Sequence, residues 1–216
     1  GNWIELPDMN SKRGRYAGAV VTEKSGLPRI FVFGGFDGSS TYYDTIEVYH
    51  QAPYSSWTNP YPAMSTNRGS SPAACYAKVN NEPRIYVCGG YNGTHYLSSC
   101  EYLSIPTKTW YNIPSMSTAR GFAAGVLFPD GSSFAVCGGR TSAFLSSCEK
   151  LSLANHTWSS NISSMFRTRE AFAAVLYNGK MVVMTVDYQI IIQQILVLEV
   201  VQVYNQLYLL QKIQTI

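Results

Sequence analysis

The chain has 216 residues, a formal net charge of +3 and only 13% charged residues. This length predicts one domain, and the sparse charge argues against a strongly basic nucleic-acid arm or a long acidic tail. Aromatic residues at 13%, 17 glycines and 16 tyrosines are typical of an all-β chain with many turns. The chain opens inside a repeat without a visible leader, so we expect its natural N-terminus to lie upstream.

Four strands are predicted in the first repeat unit. Residues 1–9 are interpreted as the last strand of a preceding unit, and the small side chains of residues 14–23 predict an inner strand. The Gly34-Gly35 pair follows an apolar strand and allows close backbone approach, and Asp37-Gly38 predicts a turn. The three other strands are predicted at residues 30–33, 45–49 and 56–58.

The combination of an apolar strand and a glycine pair occurs three times. The pairs begin at Gly34, Gly89 and Gly138. A repeat of about 50 residues with strand-type content indicates the blades of a β-propeller. Complete units are predicted to follow at residues 68–112 and 120–161, and a fourth begins at Arg169, with a hairpin turn at Asn178-Gly179. Because propellers close with about 4–8 blades, we expect a fragment that exposes the apolar faces of its terminal blades.

Four other residue types recur with the same spacing. The tryptophans are Trp3, Trp57, Trp110 and Trp158. The methionines are Met9, Met64, Met116 and Met165. The arginines, each four residues after a methionine, are Arg13, Arg68, Arg120 and Arg169. The glutamates, which follow the glycine pairs, are Glu47, Glu101 and Glu149.

This order of residues resembles the Kelch repeat over about residues 1–182. The resemblance implies an all-β, Kelch-type β-propeller that is incomplete here, with three full four-stranded blades and partial terminal blades. It places the tryptophans between blades and makes the glutamates partners of a backbone N–H or a neighbouring arginine. The units are predicted near residues 13–67, 68–119 and 120–168, with a partial unit at 169–182.

The resemblance also implies a ligand-binding face built from two sets of loops. One set enters the first strand of each blade and carries Arg13, Arg68, Arg120 and Arg169. The other set follows the glycine pairs and begins with Phe36, Tyr91 and Arg140. Aromatic residues further along these loops are Tyr43, Tyr96 and Phe144. A second interpretation of the arginines is structural, with their guanidinium groups bonded to backbone carbonyls inside the blade.

These residues predict a protein-interaction module that binds an acidic loop or tail of a partner. Guanidinium groups bind carboxylates bidentately, and aromatic walls exclude water from such contacts. An extracellular glycan-binding propeller and a truncated, non-functional product are the alternatives. We expect no nucleic-acid partner, no membrane insertion and no small-molecule substrate.

Four cysteines occupy two positions of the repeat, in the second and third units. One position lies directly before the glycine pair, and the other lies directly before the glutamate. In the first unit the same positions hold Phe33 and Ile46, so both are cysteine or both are apolar. This joint change predicts contact between strands two and three, where facing Cβ atoms lie about 4.5–5.5 Å apart. The alternative is four buried free thiols. The disulfide candidates are Cys88 with Cys100 and Cys137 with Cys148, which leaves Cys75 free.

Three triplets match the N-glycosylation acceptor pattern, all in predicted turns or strand ends. They begin at Asn92, Asn155 and Asn161. Together with the cysteine pairing they favour an extracellular location, whereas many Kelch proteins are cytoplasmic. The compartment therefore stays open between these two.

No catalytic or metal-binding pattern is found in the sequence. His50, His95 and His156 lie near neither a paired carboxylate nor a cysteine in the chain. A Cys-x-x-Cys pair, a nucleotide-binding loop and a serine elbow are all missing. We therefore expect no enzyme activity, no metal and no cofactor.

The composition changes sharply in residues 183–216, which are rich in Ile, Val and Gln. A frameshift is one explanation, because another reading frame of residues 181–188 can encode the missing Gly-Gly signature. The other interpretation is a genuine amphipathic helix or strand pair. Gln and Glu interrupt the apolar run, which makes it a poor membrane span.

Overall fold

The structure is a computed structural model that describes residues 5–22, 26–50, 55–171, 173–177, 180–184, 197–203 and 206–212. Within these ranges the regular secondary structure consists of β-strands, which pair antiparallel. Three sheets have four strands each, in chain order, and we call them blades 1, 2 and 3. No helix long and apolar enough to cross a membrane occurs among the residues described.

The strand bounds show the same plan in each blade. Blade 1 contains β1 (Ala17–Thr22), β2 (Pro28–Phe33), β3 (Ile46–His50) and β4 (Ser56–Thr58). Blade 2 contains β5 (Ala73–Val79), β6 (Glu82–Cys88), β7 (Cys100–Ser104) and β8 (Thr109–Ile113). Blade 3 contains β9 (Ala124–Leu127), β10 (Ser133–Cys137), β11 (Cys148–Ser152) and β12 (Thr157–Ser159).

The prediction of three consecutive four-stranded blades is confirmed. Strands β2, β6 and β10 each end on the residue before a glycine pair. The first strand begins later than predicted, at Ala17, because Gly14 forms only an isolated bridge with Phe36. Strand β2 begins earlier, at Pro28, and β3 begins one residue later, at Ile46.

The hydrophobic core lies between neighbouring blades. Side chains alternate across a strand, so successive residues of β6 serve two different junctions. Ile85 is buried in one cluster with Phe31 of blade 1. Tyr86 is buried in another cluster with Phe134 of blade 3. Each full blade is thus stabilised by burial against its neighbours, as stacked repeats require.

The inner strands β1, β5 and β9 lie next to one another and line a groove of about 660 Å³. Small residues such as Gly18, Ala19 and Gly125 line this groove. The crowding of strands towards the propeller axis explains why the first strand of each unit is rich in small side chains.

Side chains of each blade hold the linker that leads into the same blade. The indole Nε1 of Trp57 donates to the Pro7 carbonyl at 2.7 Å, and Trp110 donates to Pro62 at 3.0 Å. Trp110 also meets Phe33 of blade 1 edge-on, with ring centroids 6.2 Å apart. The predicted packing role of the tryptophans therefore agrees with this contact, and Trp3 lies outside the described residues.

Backbone hydrogen bonds join each glycine pair to the following unit. In all three cases the N–H of the second glycine donates to the carbonyl of the next repeated arginine. The donor and acceptor residues are Gly35 and Arg68 (3.4 Å), Gly90 and Arg120 (2.8 Å), and Gly139 and Arg169 (2.7 Å).

Two antiparallel strand pairs follow blade 3. The first is β13 (Ala173–Tyr177) with β14 (Lys180–Met184), and β13 lies beside β9. Its predicted turn, Asn178-Gly179, lies outside the described residues, although Tyr177 pairs with Lys180 around it. The second pair, β15 (Val197–Val203) with β16 (Gln206–Lys212), lies in the tail of unusual composition. A strand pair is one of the forms expected of a genuine tail, and the frameshift stays a hypothesis.

Both predicted cysteine pairs lie at disulfide-bond distance. Cys88 of β6 faces Cys100 of β7 with a Cα separation of 4.2 Å, and Cys137 faces Cys148 at 4.1 Å. Each pair occupies the position that Phe33 and Ile46 fill in blade 1, as the joint change of the two positions predicts. All four cysteines are buried.

Oxidised protein is expected to contain Cys88–Cys100 and Cys137–Cys148 bonds and one thiol that reacts only after unfolding. That thiol is Cys75, which is buried on β5, and its burial raises its pKa well above the ordinary value. Since the thiolate is the reactive form, native protein at pH 8 should resist iodoacetamide at this position. Peptide mapping without reduction tests the pairing, and five alkylated cysteines after oxidising preparation would contradict it.

Candidate functional site

Three of the repeated arginines lie inside the blades. The side chains of Arg13, Arg68 and Arg120 are at most 1% exposed. Each guanidinium donates to the carbonyl of the first glycine of its blade's pair, at 2.8–3.0 Å. Each also forms an ion pair with the glutamate of the same blade, at 2.7, 2.9 and 3.0 Å.

Blade 2 shows how such a charge is accommodated. Arg68 donates to the carbonyls of Gly89 at 2.8 Å and Ser99 at 2.9 Å, and to Glu101 Oε1 at 3.0 Å. The other carboxylate oxygen of Glu101 accepts the Ser65 N–H at 2.9 Å. Burial lowers the pKa of Arg68, and the attraction of Glu101 opposes this change. The pair therefore connects the linker, the second strand and the third strand of one blade.

The third blade repeats this arrangement. Arg120 donates to Ser147 and Glu149, and Glu149 accepts the N–H groups of Ser117 and Thr118. Desolvation alone raises the pKa of Glu149, but the bonds from Ser117 and Arg120 outweigh it and hold the pKa below its usual range. The carboxylate is thus held ionised by its partners.

These contacts remove three arginines from the predicted set of partner-binding residues. A buried charge is tolerated when fixed partners surround it, and each blade supplies those partners itself. The guanidinium groups of Arg13, Arg68 and Arg120 are therefore not available to a partner's carboxylate. Their bonds match the second interpretation, in which the arginines bond backbone carbonyls. The fourth, Arg169, is half-buried.

Side chains of the loops after the glycine pairs form a continuous row across the three blades. Ring centroids lie 4.6 Å apart for Phe36 and Tyr42, 5.8 Å for Tyr42 and Tyr91, and 4.9 Å for Tyr91 and Tyr96. The Arg140 guanidinium continues the row at 6.0 Å from the Tyr96 ring centre. We call the set the loop row: Phe36, Tyr42, Tyr91, Tyr96, Arg140 and Phe144.

Tyr42, rather than the predicted Tyr43, is the second aromatic residue of blade 1 in this row. Tyr42 forms with Phe36 the isolated antiparallel bridge that the corresponding residues form in the other blades. Tyr43 occupies the repeat position that Leu97 has in blade 2, since the N–H of each donates to the second glycine of its blade's pair. The Tyr43 ring lies 4.4 Å from the Arg13 guanidinium. The prediction misses by one residue because the loop of blade 1 is longer than those of the other blades.

The rings of the loop row pack against glycines of the following blade. The Tyr42 ring lies where a Cβ of Gly69 would be, and the Tyr96 ring lies 2.8 Å from the place of a Cβ on Gly121. Gly69 and Gly121 each directly follow a repeated arginine. The Arg-Gly dipeptide thus couples the buried ion pair of one blade to the aromatic side chain of the preceding blade.

Two arginines of this face keep exposed guanidinium groups. The side chain of Arg140, one of the residues predicted to bind a partner, is 40% exposed, and its Nε lies 3.6 Å from Glu170 Oε2. Arg15 is not among the predicted residues. It is exposed, and its guanidinium lies 5.9 Å from the Phe36 ring and 5.8 Å from the Phe122 ring of blade 3. No repeat pattern indicates Arg15, because blade 3 has Phe122 two residues after its own repeated arginine.

Local hydrogen bonds fix the conformation of the loops. In blade 1 one oxygen of Asp37 accepts the N–H groups of Ser39, Ser40 and Thr41 at 2.7–3.0 Å. The bonds from Ser39 and Thr41 hold the pKa of Asp37 well below its usual range. In blade 2 Asn92 accepts two loop N–H groups in the same way. The loop row is therefore carried by loops with defined turns.

The three predicted glycosylation acceptors differ in their surroundings. Asn92 is half-buried, and its side-chain oxygen holds the loop of blade 2. Asn155 is exposed and accepts the Thr157 hydroxyl at 2.8 Å, and Asn161 is exposed after β12. Glycosylation at any of these positions stays a prediction.

No group of three or more histidine, cysteine or carboxylate side chains suited to a metal ion occurs in the part of the chain that the structure describes. His156 packs against Tyr86 and Tyr102, with ring centroids 5.9 and 5.3 Å apart. Desolvation, with a smaller effect of Arg84, lowers its pKa. This histidine therefore belongs to the junction between blades 2 and 3.

The four-stranded sheets and the repeated Arg–Glu pairs define an arc of β-propeller blades built from one repeated unit. A family model described as the KLHDC2/KLHL20/DRC7 Kelch-repeats domain matches residues 2–185, and the chain belongs to the Kelch-repeat family. Proteins of this family are typically non-enzymatic and generally serve protein–protein interaction.

Several relatives share part of this chain. Beta-scruin and alpha-scruin of Limulus polyphemus are each 31% identical over 133 residues, which is 56% of this chain and 13% of the scruin. Kelch domain-containing protein 10 of Xenopus laevis is 28% identical over 123 residues, 53% of this chain and 28% of the relative. The chain therefore spans less than a third of each of these relatives.

Proposed function

We propose that the chain binds acidic segments of partner proteins along the loop row. The observation that carries this proposal is the row of aromatic rings across blades 1 and 2, which the Arg140 guanidinium continues to Phe144 of blade 3, with the exposed Arg15 beside it. Tyrosine and arginine are the residue types that most often dominate protein interfaces. A row of loops on rigid sheets suits an extended partner segment, because the sheets hold the contact residues in place.

Two guanidinium groups of the loop face can bind carboxylates. Arg15 lies beside Phe36 at one end and Arg140 lies between Tyr96 and Phe144 at the other. Three loop N–H groups donate to one oxygen of Asp37, which partly offsets the negative charge that this carboxylate adds at the blade 1 end. Because the aromatic rings shield the two guanidinium groups from water on one side, a carboxylate bound there is attracted more strongly than in bulk solvent.

Replacing Arg15 by glutamine should weaken binding of acidic peptides by at least about 1 kcal/mol, the net contribution of a typical hydrogen bond. The measurement is fluorescence polarisation with an acidic-peptide library. Affinity should also fall as salt rises, since exposed ion pairs are screened. Replacement of Arg120, in contrast, disrupts a buried ion pair and tests the fold rather than the binding surface.

A matched control is Lys78→Gln, which removes the same charge. Lys78 is exposed near the end of β5. Lys78 lies at the end of β5 that is far from the glycine pair after β6. Its replacement should leave affinity unchanged. Selection of neutral or basic peptides by the unmodified chain, or equal losses for Arg15→Gln and Lys78→Gln, would overturn the acidic preference.

A further inference from the structure

The three blades treat the second aromatic residue of the loop row differently. In blades 1 and 2 the rings of Tyr42 and Tyr96 pack over the glycine that follows the next repeated arginine. After Arg169 that glycine is replaced by Glu170. The space that a Cβ would fill at Gly121 is already taken by Tyr96, so a residue with a side chain at position 170 leaves no equivalent place for the ring of blade 3.

That ring belongs to Phe144, and it is 54% exposed, whereas Tyr42 and Tyr96 are half-buried. The loops also shorten along the chain. Between the two bridged residues, the loop spans residues 37–41 in blade 1, 92–95 in blade 2 and only 141–143 in blade 3. The shortest loop therefore carries the most exposed ring, and an incoming side chain meets less backbone on its way to Phe144.

A charged group with free hydrogen-bonding capacity lies beside this ring. The Arg140 guanidinium lies 5.5 Å from the Phe144 ring centre, and its Nε is 3.6 Å from Glu170 Oε2. That separation is an ion pair but exceeds hydrogen-bond length. Glu170 Oε2 is enclosed and accepts no hydrogen bond from any residue described. Arg140 is therefore held far more loosely than Arg120, which makes four hydrogen bonds.

We propose that Phe144 and Arg140 form the main contact of the loop row, for a partner segment with an apolar side chain two residues from a carboxylate. This inference rests on the proposed function. In an extended segment, residues i and i+2 point to the same face and lie about 6.6 Å apart. That distance is about 1 Å longer than the 5.5 Å between the Phe144 ring centre and the Arg140 guanidinium, so both side chains of the segment can reach the site together. The apolar residue packs on Phe144, and the carboxylate takes the unused N–H groups of Arg140.

Two labelled acidic peptides of equal composition test the spacing. One has phenylalanine and glutamate at positions i and i+2, and the other has them at i and i+1. We expect the first to bind the full chain at least about fivefold more tightly, since only there do both side chains reach the site together. Equal affinity would overturn the spacing.

Two substitutions test the site itself. Phe144→Ala should weaken the i, i+2 peptide by about tenfold, as expected for an interface anchor. Glu170→Gly should also weaken binding of this peptide, because the Phe144 ring can then pack over the new glycine and is no longer exposed. This loss is expected even though the substitution removes an acidic residue that repels the peptide. A purely electrostatic site predicts the opposite result for Glu170→Gly. The control is His95→Ala, which removes an exposed side chain from the loop of blade 2 and should have no effect.

The outcomes separate this inference from the proposed function. Loss of binding with Arg15→Gln but not with Phe144→Ala overturns the site at Phe144 and leaves acidic binding along the row intact. Loss with Phe144→Ala for neutral peptides as well as acidic ones overturns the acidic preference and supports Phe144 as the anchor. If no peptide of either kind binds, both proposals are wrong. Urea unfolding of each variant checks that the substitutions leave stability unchanged.

Discussion

Replacing Arg68 by alanine is expected to lower the free energy of unfolding by about 3–5 kcal/mol. Removal of one partner from a buried ion pair leaves the other charge desolvated and uncompensated. Here the stranded group is the Glu101 carboxylate, which is fully buried. Arg68 also satisfies the carbonyls of Gly89 and Ser99, which lose a donor in the variant. Urea denaturation followed by tryptophan fluorescence measures the change.

The matched control for Arg68 is Arg84→Ala in the same blade. Arg84 pairs with Glu82 at 2.6 Å, but the two side chains are 15% and 32% exposed. Solvent-exposed pairs contribute about 0–1 kcal/mol, and because water reaches both members of this pair, the substitution should cost less than Arg68→Ala. Arg68→Lys should recover only part of the loss, because an ammonium group cannot reproduce the planar fork of a guanidinium. Equal costs for Arg68→Ala and Arg84→Ala would contradict the assigned role.

Replacing Gly89 by alanine is expected to destabilise the protein by about 2–5 kcal/mol. The residue has φ of +72°, a left-handed conformation that costs an L-residue about 1–2 kcal/mol. An added Cβ would also overlap the carbonyl oxygen of Arg120 from the next unit. Overpacking of this kind typically costs a further 1–3 kcal/mol, roughly. Because the overlapping atom belongs to the backbone, it cannot move aside without shifting blade 3 against blade 2.

Gly131→Ala separates the two contributions to this cost. Gly131 has φ of +68°, close to that of Gly89, and an added Cβ would meet no atom within 4 Å. This control should therefore show only the conformational cost of about 1–2 kcal/mol. The difference between the two variants in urea unfolding measures the steric term at the blade junction. A difference near zero would mean that the junction adjusts without cost.

The repeated residues predict the fold well because each position of the repeat corresponds to one contact. The glycine pairs end β2, β6 and β10, and the glutamates lie on β3, β7 and β11. The paired cysteine positions predict a contact between facing residues, which lie directly opposite each other in the sheet. Local sequence and sheet register agree in these places, so the sequence contains enough information to predict them.

The proposed binding surface is harder to predict, because repetition marks what every blade needs. The arginines recur because every blade uses one to bond its own backbone, and this makes them poor candidates for partner contact. The features that distinguish one blade from another are single departures from the repeat. The position of Arg15 is occupied by Phe122 in blade 3, and Glu170 interrupts the series of glycines after the repeated arginines. Loop length is another such departure. The longer loop of blade 1 places Tyr42, and not Tyr43, opposite Phe36, and counting along the repeat does not predict this.

The hydrogen bond from each glycine pair to the next unit has a consequence for synthesis on the ribosome. The N–H of Gly90 and its acceptor, the carbonyl of Arg120, lie 30 residues apart in the chain. At about 5–20 residues per second, the acceptor is made roughly 1.5–6 s after the donor. Strands β7 and β8 are made during that interval, so the second blade has all four of its strands only from residue 113 and still lacks the partner for this backbone donor until residue 120 is made. Each newly made blade therefore completes its hydrogen bonding only when its successor emerges, so the arc matures in the direction of translation.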